Sequence, residues 1–235
     1  MKRLTLSAFT AVLMIALGSL TVLAQTRYTD AGSTSKFSVG IGAAGGFAIP
    51  LGDLDENDEA ALGFAFRGGL NITYPFSTEM SAHLNAGLDV RNLGVKEDSS
   101  LDARFYNAQY FYVQPGISYS SIGLSLNIGV PVSASQPVPV FPGLPITDPD
   151  ATVEVPTETL ELLLEPRLNG TLVLLNNEML WLGVDISVGF PLNKLYKEEY
   201  QRDKDLDDGR TLVPNATPFA AHLGLTCQFG LFDTF

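Results

Sequence analysis

From residue 37 to the carboxyl end, apolar and polar side chains alternate with a period of two in eight segments. That period marks strands with two unlike faces. The first segment sets Phe37, Val39, Ile41, Ala43, Phe47 and Ile49 against Ser38, Gly40, Gly42, Ala44 and Gly46. The second sets Leu62, Phe64, Phe66, Leu70, Ile72 and Tyr74 against Gly63, Arg67, Asn71 and Thr73. In the third, Met80, Ala82, Leu84, Ala86, Leu88 and Val90 oppose Ser81, His83, Asn85, Asp89 and Arg91. The fourth, from Arg104 to Tyr119, is aromatic on both faces and has no readable parity before Phe111. The fifth alternates Ile122, Leu124, Leu126, Ile128 and Val130 with Gly123, Ser125, Asn127 and Gly129. In the sixth, Leu160, Leu162, Leu164, Leu168, Leu172 and Leu174 oppose Glu161, Glu165, Arg167, Asn169 and Thr171. The seventh pairs Leu182, Val184, Ile186, Val188 and Phe190 with Gly183, Asp185, Ser187 and Gly189. The eighth opposes Phe219, Leu223, Leu225, Cys227, Phe229 and Leu231 to His222, Thr226, Gln228 and Gly230.

The leucines of the sixth segment are not helical, because Pro166 and Gly170 interrupt any helix while the alternation holds on both sides. Pro115 and Pro166 remove ladder donors, so bulges or missing ladder bonds are expected near them.

Alternation alone does not say which face meets water. A lipocalin-like barrel or a soluble sandwich has the same period with its apolar face inward. Three features favour an apolar exterior. The polar faces are mostly Gly, Ser, Asn and Thr with almost no Lys, which suits the crowded lumen of a narrow barrel. Aromatics fall near strand ends: Phe47, Phe64, Phe66, Phe105, Phe190 and Phe219 toward one rim, and Phe37, Tyr74, Phe76, Tyr119, Trp181, Phe229 and Phe235 toward the other. A bilayer's two interfaces call for two such belts. Finally, long connections (50–61, 92–103, 131–157 and 191–218) alternate with tight ones (75–79, 120–121 and 175–178). Transmembrane barrels have this asymmetry, with long loops outside the cell and short turns in the periplasm. The expected fold is all-β, an eight-stranded antiparallel up-and-down transmembrane β-barrel.

The amino-terminal segment adds export. Lys2 and Arg3 precede an apolar stretch from Leu4 to Leu17, and Val22-Leu23-Ala24 forms a cleavage site, so residues 1–24 read as a signal peptide and 25–235 as the barrel domain. The apolar stretch is short of the ~20 residues of a spanning helix. The full chain carries 14 Lys and Arg against 26 Asp and Glu; losing Lys2 and Arg3 moves the formal charge from −12 to −14. So acidic a chain repels phosphates, which excludes nucleic acid as a partner. A single cysteine, Cys227, excludes an internal disulfide and reads as a small buried or lipid-facing side chain.

In strand count, loop asymmetry and the final aromatic Phe235, the chain resembles the small eight-stranded outer-membrane barrels of the OmpA transmembrane-domain and OmpX type, and the PorT-like barrels. The resemblance is architectural. It implies the bacterial cell outer membrane, contacts with outer-membrane lipid and lipopolysaccharide, and recognition by the barrel insertion machinery through the strand ending at Phe235. It brings no catalytic motif, and with no room after Phe235 for a peptidoglycan-binding domain it does not imply that function.

Candidate chemistry is sparse. The inward charges are Arg67, Asp89, Arg91, Glu161, Glu165, Arg167 and Asp185, with Arg104 as a further candidate. Inside an eight-stranded barrel such charges must pair, which suggests an ion-pair network plugging the lumen; a narrow polar pore is the alternative. His83 and His222 are expected on the order of 20 Å apart along the barrel at ~3.3 Å per residue, too far to share a substrate. Neither has an obvious nucleophile beside it, so a lipid-modifying enzyme is disfavoured. Asp53, Asp55, Asn57 and Glu59, and again Asp203, Asp205 and Asp207, begin like calcium loops, but Phe64 and Pro214 occupy the twelfth positions where Glu is required. No cofactor and no metal are expected. The Pro-rich stretch 136–145, inside the 131–157 loop, should be extended and stiff, and is the candidate element for an extracellular partner or for folding back over the mouth.

Overall fold

A computed structural model describes residues 36–52, 54, 58–77, 79–97, 103–137, 152–176, 180–198 and 216–233. Among these residues there are ten strands: β1 (Lys36–Gly52), β2 (Asp58–Ala61), β3 (Gly63–Pro75), β4 (Met80–Glu97), β5 (Arg104–Tyr119), β6 (Ile122–Pro137), β7 (Thr152–Glu154), β8 (Leu163–Asn176), β9 (Leu180–Gly189) and β10 (Ala216–Asp233). Eight of them close into a ring in the order β1-β3-β4-β5-β6-β8-β9-β10, every pair antiparallel and β10 returning to β1. The short β2 extends the β3 side along β4, and β7 extends the sheet along β6. The all-β, eight-stranded up-and-down barrel expected from the alternation is borne out. Closure leaves no continuous open edge, as a lipid environment requires.

The stagger follows from the registers. From Ser38 the ladder partners run through Thr73, His83, Gly116, Ser125, Arg167, Gly189 and Ala220, and reach β1 again at Ala48. The circuit therefore returns ten residues higher (48 less 38) on the starting strand. With strands about 4.8 Å apart and a rise of about 3.3 Å per residue, eight strands and a stagger of ten correspond to a tilt of roughly 40°.

Several strands outrun their expected limits. β4 continues through Glu97 across residues expected to begin a loop, and β6 continues to Pro137. The polar run after Arg91 and the Pro131 signal both suggest loop. The ladder persists because β5 pairs with β4 as far as Val95, and Asn107 to Gln109 pair with Ser133 to Ser135. Pro131 is accommodated by a bulge at Val132, which restores an inward parity to Ala134 and Gln136. Around Pro115 the β5–β6 ladder lapses at residues 114 and 115 without losing register. At Pro166 the β8–β9 ladder starts only one residue later, at Arg167. The tight 120–121 turn is a two-residue hairpin with Ser120 at a positive φ of 53°. Residues 1–35, and with them the signal segment, lie outside the described residues, as do 138–151, which include most of the Pro-rich stretch, the aspartates at 53, 55, 203, 205 and 207, and the final Phe235.

Candidate functional site

The chemistry-bearing side chains are inside the barrel. A spacing of two puts Asp89 and Arg91 on the inward face of β4, and Glu165 and Arg167 on the inward face of β8. β5 and β6 stand between these strands in the ring, so contact between the two pairs spans the lumen rather than a ladder. Arg91 binds both carboxylates: its Nε and Nη2 donate to Asp89 at 3.2 and 2.9 Å, and its Nη1 and Nη2 donate to Glu165 at 3.0 and 2.7 Å. Its Nη1 also donates to the Pro218 carbonyl at 2.5 Å, tying the cluster to β10. Arg167 Nη1 donates to Glu165 at 2.7 Å and lies 3.8 Å from Asp89. All four side chains are fully buried.

Neutral groups complete the cluster. Asn127 Nδ2 donates to Glu165 at 2.9 Å, and Arg167 Nη2 meets Ser187 Oγ at 3.0 Å and His222 Nδ1 at 2.7 Å. Because the guanidinium can only donate, Nδ1 accepts and the imidazole proton sits on Nε2. Arg67 hangs below: its Nη2 donates to Gln114 at 2.6 Å, and its guanidinium lies 3.8 Å from the centre of the Tyr112 ring. Such a stack is worth about 0.5–2 kcal/mol. Gln114 and Asn169 both donate to Ser125 Oγ.

Toward the long-loop end the lumen is filled by apolar side chains. Ala48, Ala65, Leu93, Ala108, Tyr110, Ala134, Leu163 and Ala220 project inward and pack with Val155, Leu160, Leu195 and Tyr196 from two connecting segments. Backbone bonds stitch those segments in place: Val155 N to Ala134 O, Glu161 N to Leu195 O, Leu195 N to Ala216 O and Lys197 N to Thr159 O, with an isolated bridge between Leu160 and Tyr196. Burial there pushes the Tyr196 hydroxyl pKa up. Toward the short-turn end the inward residues are small, polar and partly exposed. Ser38 donates to Gln228, Ser81 and Ser118 share a hydrogen bond, and Gly116 leaves room for His83. Buried apolar side chains thus gather toward the long-loop end, and partly exposed small polar ones toward the other.

Of the charges read from the sequence, Asp89, Arg91, Glu165 and Arg167 are joined directly, and Arg67 lies at their margin. Asp185 is separate, accepting from Thr171 at 2.6 Å and from Thr226. Glu161 falls before β8, in the segment over the mouth, and the structure places it outside the lumen cluster. Leu160 is likewise packed into the mouth rather than facing outward. Arg104 stands at the start of β5, away from the cluster. Trp181 differs from the belt position expected of it: it precedes Gly183 on the same inward face, and a Cβ at Gly183 would come within 2.4 Å of its ring. Phe219 is buried between Phe47 and Phe190, with ring centroids 6.4 and 6.1 Å away. The neutral partners Gln114, Asn127, Tyr112 and Ser187 were not singled out by sequence. Their inward parity was the available signal. Among the described residues no group of three His, Cys, Asp or Glu side chains is placed to hold a metal ion.

The outer face completes the picture. Ile41, Leu70, Leu84, Leu88, Val113, Leu124, Leu223 and Leu225 are exposed on the outside of the wall, while the buried charges face in. Phe64, Phe66, Phe105 and Phe190 are exposed toward one end, and Tyr74, Phe76, Tyr119 and Phe229 toward the other. Water would not tolerate so continuous an apolar exterior; the acyl layer of a bilayer requires it. Fold and surface together define a small transmembrane β-barrel of the bacterial outer-membrane type.

No protein-family model and no curated protein matches the chain. Among solved structures, it is similar to the attachment invasion locus protein Ail of Yersinia pestis, crystallised with the heparin analogue sucrose octasulfate, at 10% identity, covering 83% of this chain and 99% of that one with a TM-score of 0.39. It is also similar to the outer membrane protein OprG of Pseudomonas aeruginosa, at 12% identity, 84% and 99% coverage and a TM-score of 0.34. A third is the translocator domain of the autotransporter NalP of Neisseria meningitidis, at 11% identity, 96% and 98% coverage and a TM-score of 0.26. These likenesses are distant, and the fold assignment rests on the strand pairing of the chain itself.

Proposed function

We propose that the protein is a non-conducting outer-membrane barrel whose role is structural or interactive, with its long connections presented outside the cell and its short turns in the periplasm. The supporting observation is that a fully buried ion-pair cluster lies beneath a buried apolar cluster of eight inward-facing and four connecting-segment residues. A conducting path would have to break buried salt bridges and displace Leu160, Leu195 and Tyr196. Removing one partner of a buried pair costs about 3–5 kcal/mol. The connection between β6 and β8 is the proposed docking element for an extracellular partner; lipopolysaccharide surrounds the acidic loops, and the last strand is the proposed signal for the insertion machinery. Planar-bilayer recording of the purified protein tests this reading. The expected trace shows no sustained conductance, and a steady large conductance would favour the narrow-channel alternative instead.

A further inference from the structure

We propose that the barrel core binds a small monovalent inorganic anion, of the halide class, against the Arg167–His222 pair. Three guanidinium groups, Arg67, Arg91 and Arg167, share one buried region with two carboxylates, Asp89 and Glu165, leaving a surplus of one positive charge there. Arg67 forms no salt bridge among the described residues; its contacts are Gln114 and the Tyr112 ring. Among the described residues the remaining strand carboxylate facing the lumen, Asp185, does not reach it. Asp185 accepts instead from Thr171 and Thr226, and Gly224 and Ala44 stand between Asp185 and Arg67 along the same ladder row.

The same region holds unused donors. Arg167 Nε and His222 Nε2 are buried without a hydrogen-bond partner, in residues that are 1% and 3% exposed. Since His222 Nδ1 accepts from Arg167, its Nε2 carries a hydrogen. Ser187 Oγ accepts from Arg167 Nη2, so its own hydrogen is free to point elsewhere. Buried donors without acceptors are rare and unfavourable, and a buried unpaired charge more so. One small anion answers both at once. The surplus is a single charge, which selects a monovalent species, and the side chains packed around the pair select a compact one.

The test uses the full chain purified in detergent, with sodium gluconate exchanged for sodium bromide at fixed ionic strength, and the barrel's unfolding midpoint read by gel mobility with and without heating. Gluconate, a bulky organic anion, serves as the reference. Bromide should raise the midpoint saturably, by roughly 5–10 °C at a hundredfold excess over its dissociation constant. Arg67→Gln removes the surplus charge while keeping a polar side chain at that position, and should abolish the bromide dependence. Should that variant not fold, anomalous scattering from wild-type crystals grown in bromide decides, with a peak expected beside Arg167 Nε and His222 Nε2. Equal midpoints in the two salts, an undiminished shift in Arg67→Gln, or bromine found only elsewhere would each overturn the proposal.

Discussion

Glu165 is the residue on which the lumen cluster turns, and Glu165→Gln is the most demanding perturbation of it. The carboxylate accepts four hydrogen bonds, two from Arg91, one from Arg167 and one from Asn127, and is fully buried. The amide keeps the shape but presents an NH2 group to a set of donors and leaves Asp89 alone against three guanidinium groups. A charge-assisted bond contributes about 1.5–3 kcal/mol, and breaking a buried pair costs about 3–5 kcal/mol, so a loss near the upper figure is expected. For a chain of this size that lowers the unfolding midpoint by on the order of 10 °C. Thermal unfolding in detergent, followed by circular dichroism and gel mobility, measures it. Two controls sharpen the result. Glu161→Gln should change stability by no more than about 0.5 kcal/mol, since Glu161 lies outside the cluster. Adding Arg167→Met to Glu165→Gln should recover part of the loss, because it removes the cation left stranded, and a double-mutant cycle reads that coupling. If Glu165→Gln melts with the wild type, the ion-pair account of the lumen is refuted.

Three further outcomes follow from the geometry. Gly189→Ala would place a Cβ 2.1 Å from Glu165 Oε1, pushing the carboxylate off its partners; a loss of about 1–3 kcal/mol in the same melting assay is expected. Trp181 emission should be quenched by aqueous acrylamide and spared by brominated lipid, the reverse of a belt tryptophan. Leu225→Lys, at an exposed outward position opposite Ala43, should cost about 2–4 kcal/mol in lipid if it lies near the midplane, as read from refolding titrations into vesicles.

The strands were legible because each carries the alternation of a two-faced sheet, and β5 runs from Arg104 to Tyr119 as that pattern implied. Extensions past Arg91 and Val130 were not legible. Beyond those points the strands pass from a two-solvent wall into one packed against connecting segments, where the polar-apolar contrast fades and Val132 bulges. Alternation also marked Asp89, Arg91, Glu165 and Arg167 as inward. Which of them meet depends on the stagger of ten residues around the ring, a property of the closed barrel that no single segment encodes. Leu160 shares the period of Leu162 and Leu164 by position alone; it precedes β8 and turns into the mouth through its bridge to Tyr196. Trp181 shows the opposite error: its location near a strand end suggested an interface, whereas its parity already assigned it to the lumen.

Strand length carries a last implication. β1, β4, β5, β6 and β10 span 16 to 18 residues, and at ~3.3 Å per residue and a tilt of about 40° they rise roughly 40 Å, against an apolar band about 25 Å tall. Some 15 Å of hydrogen-bonded wall therefore stands clear of the acyl layer. The long strands β4, β5 and β6 thus carry paired backbone through the headgroup zone, so the lipid's polar layer meets an ordered sheet rather than loose chain.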